Sequence, residues 1–438
     1  MLKRKIESFL TSYFEKKSNK VLIVDGARQI GKSFIIRHVG QKMFKNYIEI
    51  NLLEDKNGSR FFEQVKSPMD FYLRLSAIAA GKMGTKDDTL VFLDEIQAYP
   101  HLLTLLKFLK AEDRFTYIAS GSLLGVALSR SVSIPIGSIQ IKHMYPLDFE
   151  EFLMANGWGD EVLNYLREQY KQGQSLDTGM HNKLIELFKT YLLVGGLPDA
   201  INTYLEKVDI VAIRQLQAEV HDYYGADASQ YDHEHRLKIR RIYDMIPSNL
   251  ENKRKRIFAK DIEGKENRRF ADYAEEFDYL IQAGIAIEVK AISQPRFPLL
   301  ESTKKNLLKM YLNDVGLLTS LLYGNNIGAI LDDVRSINLG SVYESVVAQE
   351  LLAHGHKLYY YDNKKLGEVD FLIQSDELLS VVPIEVKSGK DYKVHSALTT
   401  FVNHEDYSVK KAIVLSNEQE VAIQNGITYM PIYYVMYL

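Results

Sequence analysis

No cysteine occurs among the 438 residues, which removes disulfides and cysteine-ligated zinc and fits a reducing cytoplasm. No apolar run approaches the roughly 20 residues that a bilayer crossing needs. The opening Met1-Leu2-Lys3-Arg4-Lys5-Ile6-Glu7 is basic but lacks a following apolar core, so it does not read as a secretory signal. Repeats and low-complexity tracts are missing as well. So is a strong excess of one charge. The net charge is −3, and any nucleic-acid contact must come from a local patch rather than a global basic field. What remains is an ordinary globular composition, 46% hydrophobic and 25% charged, on a chain too long for one core. The expectation is a cytoplasmic, multidomain protein without membrane contact.

The richest stretch is Gly26-Ala27-Arg28-Gln29-Ile30-Gly31-Lys32-Ser33, which satisfies the phosphate-loop pattern G-x-x-x-x-G-K-[ST] at every required position. The apolar run Val21–Val24 leads in and Phe34–Val39 leads out, giving the order strand, loop, helix. Glycines let backbone N–H groups wrap an anion, and the new helix aims its positive end at the same point. All eight loop residues are therefore candidate ATP contacts. Lys32 would reach the β/γ-phosphates, and the Ser33 hydroxyl would hold Mg²⁺. Arg28 reads as a surface or partner contact. A second apolar strand, Thr89–Leu93, ends in Asp94-Glu95. Asp94 suits a water-mediated hold on Mg²⁺, and Glu95 suits the base that activates water. A third, Phe115–Ala119, ends in Ser120-Gly121-Ser122. Either serine can sense the γ-phosphate, or all three residues simply form a turn.

Apolar strands at 21–25, 46–50, 89–94, 115–119 and 137–142 alternate with helical stretches, the pattern of a parallel α/β sheet. From Asp148 the pattern turns helical. Leu184, Leu187, Phe188 and Tyr191 share one helix face, in a segment that reads as a linker or a lid. Residues 236–269 carry twelve cations against five anions, either a solvated face or a patch for DNA backbone. The helix around Tyr273–Ile281 and the strand-like Ile285–Val289 after it suit a winged-helix module. His233-Glu234-His235 would put two imidazoles on one strand face, but no further ligand accompanies them.

Beyond about 340 the order reads αβββαβ. Residues two apart on a strand share a face, so Glu385 and Lys387 point together while Ile384 and Val386 face the core. Asp370 lies on the neighbouring strand. Two carboxylates and a lysine make a candidate Mg²⁺ site for phosphodiester hydrolysis; ordinary charged strand faces are the other reading.

Taken in order, GARQIGKS, VFLDEIQ, IASGS, PIGSIQIKHMYPLDFEEFL, YLLVGGLPDA, GSVYESVVAQEL, GEVDFLI and PIEVKSG resemble the bacterial and archaeal AAA+-superfamily ATPases with a carboxyl-terminal domain of unknown function. The resemblance implies a P-loop ATPase core (1–155), a helical lid (156–225), a winged-helix-like domain (226–335) and a PD-(D/E)XK restriction-endonuclease-like domain (336–438). It places Lys32, Ser33, Asp94 and Glu95 on the nucleotide site. It places Glu344, Asp370 and Glu385 as metal ligands with Lys387 as a catalytic partner. Relatives carry Lys or Arg where this chain has Ser138, and Arg130 is a candidate substitute. Such ATPases often complete their sites across subunits, so a homo-oligomer is consistent with the resemblance.

Overall fold

The computed structural model describes residues 1–79, 81–122, 124, 137–230, 235–252, 255–299, 303–331, 339–363, 365–389, 391–407 and 409–438. Arg130, His233, Glu234, Lys253 and Arg254 lie outside the described residues. The chain divides into two compact units, Met1–Tyr145 with Gln282–Gly284, and Pro146–Ile281 with Ile285–Leu438.

The first unit is built on five strands: β1 (Val21–Asp25), β2 (Asn46–Asn51), β3 (Thr89–Asp94), β4 (Thr116–Gly121) and β5 (Ile139–His143). Their order is β2-β3-β4-β1-β5, and every pairing is parallel. Parallel strands covered on both faces read as continuous apolar runs, and β1 and β3 are buried along their whole length. The edge strand β5 is mostly exposed, which is why Gln140, Lys142 and His143 are tolerated there. Because β4 lies between β1 and β3, its carboxyl end faces both the loop after β1 and the acids after β3. The expected strands match closely, except that β4 runs on to Gly121 and so includes Ser120.

The second unit begins earlier than the expected domain end at 155. The helix Phe149–Ala155 starts from a capping box, with Asp148 accepting from the Glu151 N–H at 2.9 Å and Glu151 reaching back. Its Phe149 and Phe152 rings pack at 5.0–5.6 Å against Phe188 and Tyr191 of the helix Thr178–Val194. Aromatic burial thus claims this helix for the second core.

The unit's sheet has eight strands: β6 (Ala286–Ile292), β7 (Thr303–Leu312), β8 (Tyr359–Asn363), β9 (Gly367–Ser375), β10 (Ser380–Val386), β11 (Ala412–Ser416), β12 (Ala422–Gln424) and β13 (Ile427–Pro431). The order is β12-β13-β11-β10-β9-β8-β6-β7. The expected αβββαβ succession is present, from the helix Gly340–Ala353 through β8–β10 and the helix Ser396–Val402 to β11. The strand pair assigned to a winged-helix module does not stand apart from it. β6 pairs in parallel with β8, Lys290 opposite Tyr359 and Ile292 opposite Tyr361, so the pair continues the carboxyl-terminal sheet. The burial of most of β6 fits this placement, since an apolar edge left open would be a template for wrong pairing.

Candidate functional site

In the first unit the loop between β1 and the helix Lys32–Met43 takes the shape that its glycines allow. Gly26 has φ +149°, and a Cβ there would meet the Met144 carbonyl oxygen at 2.2 Å. Gly31, at φ 91°, is the helix N-cap and supplies no side-chain acceptor. The first N–H groups of this helix are left for an anion to satisfy. Arg4 braces the loop from behind, donating to the Ile30 carbonyl at 3.0 Å and the Tyr145 carbonyl at 2.7 Å. Ile30 is fully buried and Gln29 is exposed. Those two side chains therefore anchor and bound the loop, while its backbone offers the binding surface.

The polar side chains meet at the ends of β1, β3 and β4. Ser33 Oγ donates to Asp94 Oδ2 at 2.8 Å, and Ser120 Oγ donates to Asp94 Oδ1. Glu95 is held by Gln97 Nε2 and by Ser122 Oγ, the latter at 3.4 Å from Oε2. Lys32 Nζ donates to the carbonyls of Gly26 and Ala27 at 2.9 and 2.6 Å. Burial raises the Asp94 pKa, although both serine hydroxyls pull it down. Burial lowers that of Lys32, opposed by Glu95, Asp25 and Asp94. An anionic ligand would reverse that last shift by restoring charge balance. The donor set beside Ser33 and Asp94 is all oxygen, which suits Mg²⁺, an ion that keeps several waters and takes few protein ligands.

Sequence reasoning missed Asp25 and Gln97 and did not pair Arg28 with Glu95. Asp25 closes β1 almost fully buried, 3.1 Å from His143 of β5. Its position just before Gly26 was the available signal. Arg28 is only partly exposed: its side chain is 14% exposed, and Nη1 lies 3.9 Å from Glu95 Oε1.

In the second unit, Glu344, Asp370, Glu385 and Lys387 do come together. The β9–β10 ladder pairs Ile384 with Phe371, and Asp370 Oδ2 then extends it by accepting the Val386 N–H at 2.8 Å. Lys387 Nζ donates to Glu385 Oε1 at 2.8 Å. Burial first, then the Glu385 and Glu344 charges, push the Asp370 pKa well up. Glu344 behaves oppositely. Burial would raise its pKa, but Lys255 and Lys309 hold it down.

The cations around Glu344 were not foreseen. Lys255 forms an ion pair with Glu344 Oε1. Lys309, fully buried on β7, lies 4.0 Å from Glu344 and 2.5 Å from Glu368. Tyr311, two residues on, donates to Glu344 Oε2 at 3.1 Å. Arg256 joins from outside, 2.6 Å from Asp362 and 3.4 Å from Glu368. On β7 the apolar Leu308, Met310 and Leu312 and the polar Lys309 and Tyr311 between them are all buried. Among the described residues no three His, Asp or Glu side chains are disposed to hold a metal ion.

The basic segment 236–269 is mostly spoken for. Besides Lys255 and Arg256, Lys238 pairs with Glu276, Arg240 with Asp222 and Asp244, and Arg268 with Glu263, at 2.8–3.4 Å. Lys260 and Lys265 sit 3.9 Å from Glu266 and Glu263. His235 Nδ1 lies 2.7 Å from Glu276 Oε1, a hydrogen bond to a carboxylate rather than the metal role considered for it. No helix among the described residues is long and apolar enough to cross a membrane.

Residues 18–153 match the family model described as an AAA domain. Residues 185–327 and 339–435 match two families described as domains of unknown function, DUF8612 and DUF4143. No functionally curated protein matches the chain. Among solved structures, the Walker-type ATPase PABY2304 of Pyrococcus abyssi is 14% identical, covering 73% of this chain and 96% of its own, with a TM-score of 0.45. The RuvB Holliday junction branch migration motor of Thermotoga maritima is 12% identical over 69% and 92%, with a TM-score of 0.30. The Hsp104–ADP complex of S. cerevisiae is 16% identical over 64% and 40%, with a TM-score of 0.29. Likenesses of this size do not bear on what the protein acts upon. The AAA match spans the five-stranded parallel sheet and the loop Gly26–Ser33 of the amino-terminal unit.

Proposed function

We propose that the protein is a Mg²⁺-dependent ATPase whose reaction centre is the loop Gly26–Ser33 together with Asp94, Glu95 and Ser120. The observation that carries this reading is the convergence of Ser33, Asp94 and Ser120 beside an uncapped helix start. Backbone amides of the loop would cradle the phosphates, and Lys32 would neutralise the β/γ oxygens. Mg²⁺, held by Ser33 and through water by Asp94, would supply charge neutralisation. Glu95 takes the proton as a water oxygen bonds to the γ-phosphorus. The bond to the bridging oxygen breaks, and ADP leaves with that electron pair. Turnover should vanish in Lys32→Ala together with binding. Glu95→Gln should bind ATP yet hydrolyse it on the order of 10²–10³-fold more slowly. Normal hydrolysis by Glu95→Gln would remove Glu95 from the mechanism.

The same reading extends to DNA: the nuclease-like carboxyl-terminal unit would couple hydrolysis to Mg²⁺-dependent action there, with Asp370, Glu385 and Lys387 at the centre. A second reading, a slow nucleotide-dependent switch whose carboxyl-terminal unit only docks a partner or nucleic acid, has a specific observation in its favour. Lys255 and Lys309 neutralise Glu344 from within the chain, and a carboxylate already paired has less to gain from a metal. Nicking of DNA that needs Mg²⁺ and disappears in Asp370→Ala and Lys387→Ala supports the first. ATP turnover indifferent to DNA, with no nicking, supports the second.

A further inference from the structure

The phosphate-loop pattern requires one cation, Lys32, yet this loop holds a second. Arg28 is four residues upstream, on the same eight-residue loop. An arginine meant for a partner would stand out from the surface; this one turns inward. Its side chain is 14% exposed, and its Nη1 lies 3.9 Å from Oε1 of Glu95, whose own side chain is 16% exposed. It is also near enough to Lys32 for the two positive charges to oppose each other. Glu95 is thus gripped from two sides. Gln97 and Ser122 reach one of its oxygens, Oε2, and the guanidinium approaches the other. The Glu95 backbone is itself left-handed, at φ 54°, so the carboxylate is presented at a turn rather than along β3.

We propose that Arg28 is a catalytic arginine supplied in cis. It pairs with Glu95 when no triphosphate is present and moves to the γ-phosphate oxygens when ATP binds. The inference rests on the ATPase reading and deepens it. A separation of 3.9 Å from Glu95 is a charge contact and not a hydrogen bond. A terminal phosphate offers it bidentate, doubly charged acceptors instead. The exchange has two consequences. It places positive charge where negative charge accumulates as the bond to ADP breaks. It also releases the Glu95 electron pair to accept the proton of the attacking water. Hydrolysis would then need no arginine from a neighbouring subunit.

The test compares wild type, Arg28→Ala and Arg28→Lys for calorimetric ATP binding and single-turnover hydrolysis. Melting curves report folding for each variant. The wild type should hydrolyse ATP at a rate per chain that does not depend on protein concentration. Arg28→Ala should bind ATP within a few-fold of wild type but turn over on the order of 10²–10³-fold more slowly. Arg28→Lys should recover little of this, because the bidentate geometry is lost. An equimolar mixture of Arg28→Ala and Glu95→Gln should stay inactive. Wild-type turnover by Arg28→Ala would overturn the inference alone, leaving the ATPase reading intact. Activity restored by mixing would overturn the cis assignment. A wild-type protein that neither binds nor hydrolyses ATP would overturn both.

Discussion

Ser120 and Ser122 stand two apart at the end of β4, and their hydroxyls reach different carboxylates, Asp94 and Glu95. The division follows from strand order. With β4 between β1 and β3, each serine lies beside both the phosphate loop and the acids. The sequence left open whether these serines were sensors or turn formers, and the hydrogen bonds favour a positioning role. Ser120→Ala should therefore lower the ATPase rate by about 10- to 100-fold, the worth of a hydrogen bond to a charged group of roughly 1.5–3 kcal/mol. Ser122→Ala should cost less, because Gln97 also holds Glu95. Steady-state kcat for the two variants checks the ranking. Equal rates would mean that the serines only shape the turn.

Among the elements, the helix Val315–Tyr323 shows how a buried acid can join distant segments. Asp314 caps it by accepting the Leu317 N–H at 3.1 Å, and its other oxygen accepts the Gly196 N–H at 2.6 Å. Gly196 follows the end of the helix Thr178–Val194, so the helical segment once open as linker or lid is tied into the second core. Burial raises the Asp314 pKa to about 6 from 3.8, against the pull of its backbone donors. Between those two values the folded chain keeps a proton that the unfolded chain has released. The contribution of this group to stability is therefore largest below pH 3.8, falls as pH rises, and levels off above about 6. Denaturation midpoints of wild type and Asp314→Asn, followed across that window, should draw apart in this sense: the wild type loses ground as pH rises, and the asparagine variant lacks that slope.

At the scale of the whole molecule, the distribution of charge decides what the surface can attract. Twelve cations in residues 236–269 would give a steep salt dependence if all met phosphate, with a log–log slope of roughly −10 on duplex DNA. Most of the described ones are bound to carboxylates of the same unit. Among the described residues, the exposed Arg236, Arg241 and Arg269 allow a slope of about −3. Fluorescence anisotropy with labelled duplex DNA over a range of KCl concentrations measures it. A slope near −10 would mean that the internal ion pairs open on binding.

The phosphate loop, the acid pair after β3 and the αβββαβ succession were legible in the chain alone, because each depends on neighbours within a few residues. Glycine spacing, an apolar run and a terminal acid carry their own local geometry. Tertiary structure decided what depends on distant partners. Arg28 faces Glu95, Lys255 and Lys309 meet Glu344, and β6 lies beside β8. The boundary after Tyr145 belongs with these, since Phe149 finds its partners at Phe188 and Tyr191. A charged or apolar side chain declares its type in sequence, but its partner is chosen only when the core closes and water is withdrawn.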